Sequence, residues 1–384
     1  MNRVYLDHNA TTALRPEVRE VWLSLADRLH GNPSSVHASG RVARQVLDQA
    51  RERTAAALGV HEDEIVFTSG GTESNNLALS GTLTALGGMP ALVTTQVEHS
   101  SVLAAADALE SRGHAVVRVA VDRNGQPSLG ALVDAAAGPD VGLVSVMAAN
   151  NEVGTVPPLS DIGARLRALG GRRLRFHTDA VQALGKIPVR LREWDVDLAS
   201  FSAHKVGGPL GVGLLYKRKG VALRGLFFGG EQEGGLRPGT ENVPAIGAAS
   251  VAIELAVREQ PEFHARAREL CRDLWREVES VVPGVALHGP PIDADGRLPN
   301  TLNLSIPGTD GRTLVARLDL EGLEASAGSA CASGSLEPSH VLLAMGVSPD
   351  AARSGLRLSL GRTTSAQDIH TAAKILRITV ASTR

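Results

Sequence analysis

The sequence has only two cysteines, Cys271 and Cys331, among its 384 residues. Two thiols in a chain of this length do not make a disulfide framework, so the class of small disulfide-stabilised secreted proteins is excluded. No run of about 18 apolar residues occurs, and we expect no membrane-spanning segment. The opening MNRVYLDHNATT also lacks the apolar core of a signal peptide. These absences together predict a cytoplasmic protein.

The chain also has almost no excess of charge, because 39 Lys and Arg residues oppose 41 Asp and Glu residues, for a net charge of -2. Without a basic excess, neither nucleic acid nor an anionic membrane is expected as a partner. The histidines fall in no tight ligand spacing, so no metal site is predicted. The hydrophobic fraction of 43% and the charged fraction of 21% are typical of a folded globular protein.

Strand-like and helix-like segments alternate through the first two thirds of the chain. Helices are expected at 15–30, 38–58, 128–136 and 159–169, and strands within 64–69, 91–99, 115–121, 141–151, 173–180, 197–205 and 212–218. Such alternation predicts an α/β fold with a mostly parallel sheet.

The pattern changes near residue 260, where a long amphipathic helix is expected at 262–282. A chain of this length suits two domains. We therefore predict a large domain over 15–260 and a smaller α+β domain built from 1–14 and 261–384, with the boundary near 258–262.

Polar residues follow the apolar runs at the predicted strand ends, where α/β sheets bind their ligands. The clusters are Gly70-Gly71-Thr72, Glu98-His99, Asn150-Asn151, His177-Thr178-Asp179 with Gln182, and Ser202-Ala203-His204-Lys205. Each cluster is weak evidence alone, but their repeated occurrence after strands predicts a binding site.

Lys205 follows an apolar strand and precedes Gly207-Gly208-Pro209. Burial would lower its pKa and suit it to Schiff-base chemistry, whereas a surface loop lysine is the alternative. The turn at Gly70 and Gly71 opens a helix, and helix N-termini bind phosphate; a simple Thr72 N-cap is the alternative there. Thr72, Ser202 and His204 would add side-chain donors.

Asp179 ends a buried-looking strand, where it would hold a cofactor's protonated ring nitrogen or cap a following helix. His99 would stack on a flat cofactor and move protons, or else be an ordinary core histidine. Arg357 lies in the strand-like GLRLSLG and would bind a substrate carboxylate or be a half-exposed strand arginine.

Cys331 lies in ASAGSACASGSLEPSH, a stretch of small residues without an apolar period. We expect this thiol to be exposed on a mobile loop and to act as a nucleophile. Cys271, on an amphipathic helix beside Leu270 and Leu274, is expected to be inert packing.

These residues occur in long motifs that resemble the class V, fold-type I enzymes dependent on pyridoxal phosphate (PLP), and within them the cysteine desulfurases of the NifS and IscS type. The resemblance runs along nearly the whole chain. Its motifs are YLDHNATT (5–12), GNPSSVH (31–37), IVFTSGGTESNNLA (65–78), VEHSSV (97–102), NNEVGT (150–155), HTDAVQALGKIPV (177–189), SFSAHKVGGPLGVGLLY (200–216), RPGTEN (237–242) and SAGSACASGSLEPSHVL (326–342).

The resemblance implies a transferase that removes sulfur from L-cysteine, releases L-alanine and keeps the sulfur as a persulfide on Cys331. Lys205 would hold PLP covalently, His99 would carry protons, and Arg357 and Asn151 would bind the substrate. The phosphate and ring of the cofactor would be bound by Gly71, Thr72, His99, Asn151, Asp179, Gln182, Ser202, His204 and, from the other subunit of a homodimer, Thr240. The persulfide sulfur would pass to an iron–sulfur scaffold or a tRNA-thiolation protein.

Three other functions remain open. Selenocysteine lyase or another class V PLP reaction, such as transamination, would use the same fold. A sulfur-binding scaffold without activity is argued against by the joint presence of Lys205, Asp179, His99 and Cys331. A metal-site protein is disfavoured by the histidine spacing.

Overall fold

A computed structural model describes residues 3–170, 174–328 and 337–382 of the chain. Its helices are α1 Pro16–Arg28, α2 Ala38–Leu58, α3 Gly71–Leu86, α4 Ser100–Ser111, α5 Leu129–Ala136, α6 Leu159–Ala168, α7 Val243–Val281, α8 Gly311–Leu320, α9 His340–Ala344, α10 Pro349–Arg353 and α11 Ala366–Ala381. Its strands are β1 Val4–Tyr5, β2 Ile65–Thr68, β3 Ala91–Thr95, β4 Val116–Val119, β5 Val141–Ser145, β6 Arg175–Asp179, β7 Leu198–Ser202, β8 Gly213–Lys217, β9 Ala286–His288, β10 Thr301–Ser305, β11 Leu323–Glu324 and β12 Gly355–Ser359.

The main sheet has seven strands in the order β2-β8-β7-β6-β5-β3-β4. Strands β4, β3, β5, β6 and β7 pair in parallel, and β8 is antiparallel to both β7 and β2. The α/β fold with a mostly parallel sheet is therefore confirmed. Because β2 also runs parallel to β7, the carboxyl ends of β2, β3, β5, β6 and β7 lie along one edge of the sheet.

Helices cover both faces of this sheet, which explains why its strands are apolar on both sides. Successive residues of one strand point to opposite faces and so belong to different cores. In β2, Ile65 and Phe67 pack on one face, and Val66 packs on the other. The first face packs against α2, α5, α6 and the first half of α7, and the second face packs against α3 and α4. The main sheet is thereby a rigid layer that fixes the positions of its strand ends.

A second, smaller core forms around the antiparallel sheet β12-β10-β9. Helices α8 and α11 and the second half of α7 pack there, through residues such as Leu314, Leu376 and Leu274. The N-terminal segment joins this body because β1 pairs in parallel with β11. The same segment reaches the main sheet, where Thr12 Oγ1 accepts a hydrogen bond from the Gly207 N–H at 2.8 Å.

The helix expected at 262–282 differs from the observed one, because α7 begins at Val243 and continues through Pro261 to Val281. Ala245, Ile253 and Ala256 of its first half belong to the main core, whereas Cys271 and Leu274 belong to the smaller core. The change of pattern near residue 260 therefore marks the point where one continuous helix passes from one core to the other. The predicted domain limits at 15–260 and 261–384 stay a prediction.

Among the helices that the structure describes, none combines the length and the apolar character needed to cross a bilayer. The longest, α7, carries charged residues along its solvent face.

Helix α6 approaches the turn that precedes β7 so closely that only a glycine fits at position 163. A methyl group on Gly163 would lie 2.1 Å from the backbone oxygen of Trp194. We expect Gly163→Ala to lower the free energy of unfolding by about 1–3 kcal/mol, the usual cost of overpacking. Chemical denaturation measures the change.

The matched control is Gly130→Ala in α5, where the nearest atom to an added methyl is Ser128 Oγ at 4.0 Å. This variant is expected to raise the free energy of unfolding by up to about 1 kcal/mol, because alanine favours the helix. Equal losses in both variants would contradict the packing argument.

Candidate active site at the carboxyl edge of the sheet

A cleft of about 310 Å³ lies at the carboxyl ends of the parallel strands. The structure brings most of the predicted site residues together on its wall: Gly71, Thr72, His99, Asn151, Asp179, Gln182, Ser202, His204, Lys205 and Arg357. Thr240 does not line this cleft and is exposed. Cys331 lies outside the described residues.

Lys205 lies on a short 3-10 helix, Ala203–Val206, that directly continues β7. This turn is closed at Gly207, whose φ of 81° is a left-handed conformation that glycine adopts without strain. The Lys205 side chain is half-buried, and its Nζ donates to the backbone oxygens of Asn9 and Ala10, each at 2.6 Å. The N-terminal segment therefore holds the amine at the cleft wall.

The start of α3 forms one end of the cleft. No side chain caps this helix, so the N–H groups of its first turn have no side-chain acceptor. A Cβ at Gly71 would lie 2.7 Å from Val181 Cγ2, so the backbone approaches the loop after β6 closely. The uncapped helix start, with Ser202 and His204 beside it, has the donor set of a phosphate site.

His204 is held by Thr11, whose Oγ1 lies 3.1 Å from its Nδ1. Burial, and then the nearby Lys205 charge, lower the pKa of His204 to about 4. The imidazole is therefore neutral near pH 7 and acts toward an anion as a hydrogen-bond donor without a charge of its own.

Asp179 ends β6 and is buried at the cleft floor. Its Oδ2 accepts a 2.7 Å hydrogen bond from Asn75 Nδ2, and its Oδ1 accepts from the Val181 N–H at 3.0 Å. Turns and no assigned helix follow β6, and Asp179 caps the first of these turns through the Val181 N–H. Asn75, to which the sequence assigned no role, orients the carboxylate.

The hydrogen bonds of Asn75 continue toward His99. Asn75 Nδ2 also donates to Ser101 Oγ at 2.8 Å, and Ser101 Oγ lies 2.8 Å from His99 Nδ1. His99 Nδ1 accepts the Ser101 N–H as well, at 3.1 Å. Since Nδ1 is an acceptor, the proton of the neutral ring is assigned to Nε2. The network therefore fixes the tautomer of the predicted proton carrier.

The alternative that Arg357 is a half-exposed strand arginine is wrong, because the residue is only 1% exposed. Strand β12 is covered on both sides, by β10 and by a bridge to Ser326. Arg357 Nη2 donates to Asp7 Oδ1 at 2.7 Å, and Nη1 donates to the backbone oxygen of Asn151 at 3.2 Å. Its Nε has no hydrogen-bond partner among the residues described.

The sequence is similar to known proteins along nearly its whole length. A model of the aminotransferase class-V family matches residues 4–371. The chain is 44% identical over 374 residues to the cysteine desulfurase IscS of Dictyoglomus turgidum, covering 97% of this chain and 93% of that protein. It is 42% identical over 380 residues to the cysteine desulfurase IscS of Clostridium botulinum, covering 98% and 94%.

The chain belongs to the class-V aminotransferase family. A solved structure of a NifS-like protein matches it with a TM-score of 0.90 and 38% identity, covering 98% of this chain and 99% of that one. The predicted PLP fold type I is thus confirmed. Enzymes of this family depend on PLP, which confirms the predicted cofactor.

Three observed features of the cleft fit PLP. An uncapped helix start suits the phosphate, the buried carboxylate of Asp179 suits a protonated ring nitrogen, and the amine of Lys205 suits an aldehyde. The role of each residue stays a prediction.

Glu98, next to His99, is a buried acid to which the sequence assigned no role of its own. Its Oε1 accepts from Thr95 Oγ1 at 2.7 Å and from the Met147 N–H at 3.0 Å, while Oε2 has no partner in the described part of the chain. Burial raises the pKa of Glu98 from 4.5 to about 8. Glu98 is therefore protonated in the folded protein near neutral pH.

This raised pKa predicts a pH dependence of stability. The folded state binds the Glu98 proton more tightly than the unfolded chain, so stability is present below pH 4.5 and is lost as pH rises toward 8. We expect Glu98→Gln to reduce the pH dependence of the free energy of unfolding over this window. The variant should be more stable than the wild type near pH 8, the upper end of the window. Urea unfolding at both ends of the window measures the effect.

The control is Glu262→Gln, which alters an exposed carboxylate on α7. This variant should keep the wild-type dependence on pH. A Glu98→Gln protein whose stability still falls across the window would show that another group causes the fall.

Proposed function

We propose that this protein is a PLP-dependent cysteine desulfurase, which takes sulfur from L-cysteine, releases L-alanine and retains the sulfur on Cys331. The observation that carries the proposal is the amine of Lys205 at a cleft wall shared with Asp179 and His99. The relatives named cysteine desulfurase cover nearly the whole chain and agree with it. Cysteine desulfurases are PLP enzymes that transfer sulfur, which is the enzyme class predicted from the sequence.

PLP supplies, when bound, an aldehyde that captures amines and a ring that stabilises negative charge on the substrate α carbon. Lys205 holds the cofactor and afterwards carries the α proton of the substrate on its Nζ. Asp179, oriented by Asn75, accepts the hydrogen bond of a protonated ring nitrogen. His99 presents its Nε2 proton toward the cleft and donates it to the departing groups, because Nδ1 is occupied by Ser101.

Arg357 and Asn151 bind the substrate at the other end of the cleft. Arg357 already pairs with Asp7 through Nη2, so a substrate carboxylate would use the unpartnered Nε or share the guanidinium with Asp7. The burial of Arg357 strengthens this interaction, since a charge shielded from water is screened less.

Cys331 is the proposed sulfur acceptor because of where the chain leaves and re-enters the described structure. Gly328 lies three residues before it, and the Gly328 oxygen accepts from Arg357 Nη1 at 3.4 Å. The last described residue before Cys331 is therefore bound to the guanidinium that is proposed to hold the substrate. Cys271 is excluded as an acceptor, because it is buried in the smaller core and burial raises its pKa to about 12.

The protein acts, in this proposal, as a cytoplasmic homodimer with sites shared between subunits. Residues 222–242 carry Phe227, Phe228 and Thr240, all exposed in the single chain, and Phe228 is 99% exposed. The segment is tied to the start of α3 by the Arg237–Glu73 ion pair at 3.2 Å. A second subunit covering the two phenylalanines would bring Thr240 to a phosphate site of the dimer.

The partner protein that finally receives the sulfur from Cys331 is proposed to be an iron–sulfur scaffold or a tRNA-thiolation protein. A persulfide on Cys331 would be delivered to the partner's thiol by exchange, which needs an accessible sulfur.

The central test separates cofactor from chemistry. Lys205→Ala is expected to lose the visible absorbance of the purified protein, because the covalent link to the cofactor is gone. Cys331→Ser is expected to keep that absorbance and to release no sulfide from L-cysteine, since no thiol remains to take the sulfur. Spectra, and a sulfide assay with added dithiothreitol that reduces the persulfide and releases its outer sulfur as sulfide, provide both measurements.

Cys271→Ser is the matched control and should release sulfide like the wild type, because that thiol lies in the smaller core. Normal sulfide release by Cys331→Ser would refute the assigned acceptor. Parallel assays with L-selenocysteine separate a desulfurase from a selenocysteine lyase.

The dimer has its own test. Phe228→Asp is expected to shift the sedimentation coefficient toward that of a monomer, because a charge replaces an apolar contact. Leu320→Asp is the control, since Leu320 is also 83% exposed but lies on α8 of the smaller body. A Phe228→Asp protein that stays dimeric would place the subunit contact elsewhere.

A further inference from the structure

Lys186 is a second buried amine close to the cleft, and it has no role in the chemistry described so far. It is 4% exposed and lies in the turns that follow β6. No carboxylate in the described part of the chain forms an ion pair with it, and the charges that act on it, from Lys205 and Arg357, are positive. A buried amine without a counterion is costly, so its contacts need an explanation.

The contacts of Lys186 are two side-chain amide oxygens. Its Nζ donates to Asn9 Oδ1 at 2.8 Å and to Gln182 Oε1. Burial, and then the charges of Lys205 and Arg357, hold the pKa of Lys186 well below its usual value. A neutral amine has two N–H groups, and two acceptors are present, so hydrogen bonding is complete without a charge.

These donors determine which way the Gln182 amide faces. The backbone oxygen of Asn9 can only accept, so Nε2 of Gln182 faces it, and Oε1 of the same amide faces the N–H groups of Lys186. Gln182 Nε2 donates one proton to the backbone oxygen of Asn9 at 2.9 Å. Its second proton remains for the cleft, whose wall Gln182 forms and Lys186 does not.

Asn9 links this arrangement to the cofactor-binding lysine. The same Asn9 oxygen that accepts from Gln182 Nε2 also accepts from Lys205 Nζ at 2.6 Å. Lys186 meanwhile fixes the Asn9 side chain through Oδ1. The orientation of the amide and the position of the catalytic amine thus depend on one shared set of hydrogen bonds.

We propose that Lys186 is a positioning residue that holds the Gln182 amide so that Nε2 donates a hydrogen bond to the ring hydroxyl oxygen of bound PLP. This inference rests on the proposed function, because it takes PLP as the occupant of the cleft. Lys186 itself touches neither cofactor nor substrate.

The test uses the pH titration of the holoenzyme's visible absorbance, which reports the charge around the ring oxygen. A hydrogen bond donated to that oxygen stabilises its negative charge and lowers the pH of the spectral transition. Lys186→Met removes the donors at similar length, and we expect the transition to rise by about one pH unit, a tenfold change in proton affinity. Gln182→Leu should raise it at least as much, and the double variant no more than Gln182→Leu alone.

The control is Gln260→Leu, which removes the hydrogen bond from Gln260 Nε2 to the backbone oxygen of Lys186 at 3.3 Å and leaves Nζ untouched. It should lower thermal stability but leave the spectral transition in place, so it separates structural damage from positioning. If Lys186→Met does not fold, Lys186→Gln, which keeps one donor on a shorter side chain, should shift the transition in the same direction.

An unshifted transition in Lys186→Met beside a shifted one in Gln182→Leu would overturn the inference, as would additive shifts in the double variant. An unshifted transition in Gln182→Leu would overturn it too. Each of these outcomes leaves the proposed function intact, since that fails only if the wild type shows no visible absorbance or releases no sulfide.

Discussion

The candidate site depends on the hydrogen bonds of Asn9, which fasten the N-terminal segment between the two cores. Its backbone oxygen accepts from Lys205 and Gln182, and its side chain is held by Lys186 and by Thr301 of β10. The main sheet, the smaller sheet and the Lys205 amine are therefore joined at one residue. A shift of the N-terminal segment would move the amine, the amide and the floor of the cleft together.

Three basic side chains lie near this junction. Lys205, Lys186 and Arg357 lie within electrostatic reach of one another, and Asp7 and Asp179 oppose them. Desolvation lowers the pKa of both Lys186 and His204, and so favours their uncharged forms. A phosphate group and a substrate carboxylate are the anions proposed for this cleft. The uncapped start of α3 adds a partial positive charge at the phosphate end.

Two buried chains of hydrogen bonds orient the groups of the site. One runs from Asp179 through Asn75 and Ser101 to His99 and sets the tautomer of the imidazole. The other runs from Lys186 to Gln182 and Asn9 and sets the direction of an amide. Both chains consist of neutral or singly charged side chains inside apolar surroundings, where hydrogen bonds are stronger than in water. Preorganisation of this kind is what a site needs before a flat cofactor enters.

Local patterns in the sequence determined the alternation of strands and helices, the parallel sheet and the positions that line the cleft. Polar residues such as Gly71, His99 and Lys205 stand after apolar runs, and parallel strands bring their carboxyl ends to one edge whatever the details of packing. The motifs themselves then indicated the family. The contacts of Lys186 and Asn75 could not be predicted at this level, because each looks like an ordinary residue of a turn or helix. Glu98 was noticed as part of a polar cluster, but its burial was not.

Only the tertiary structure decided which partner each buried group has. Arg357 lies among small and apolar residues in the sequence, yet it is enclosed by Asp7 and Ser326, both distant along the chain. Helix α7 passes from one core to the other without a break, which a change of apolar pattern cannot reveal. Local sequence encodes backbone propensity and which face is apolar, whereas burial and hydrogen-bond partners depend on residues that folding brings together from far apart.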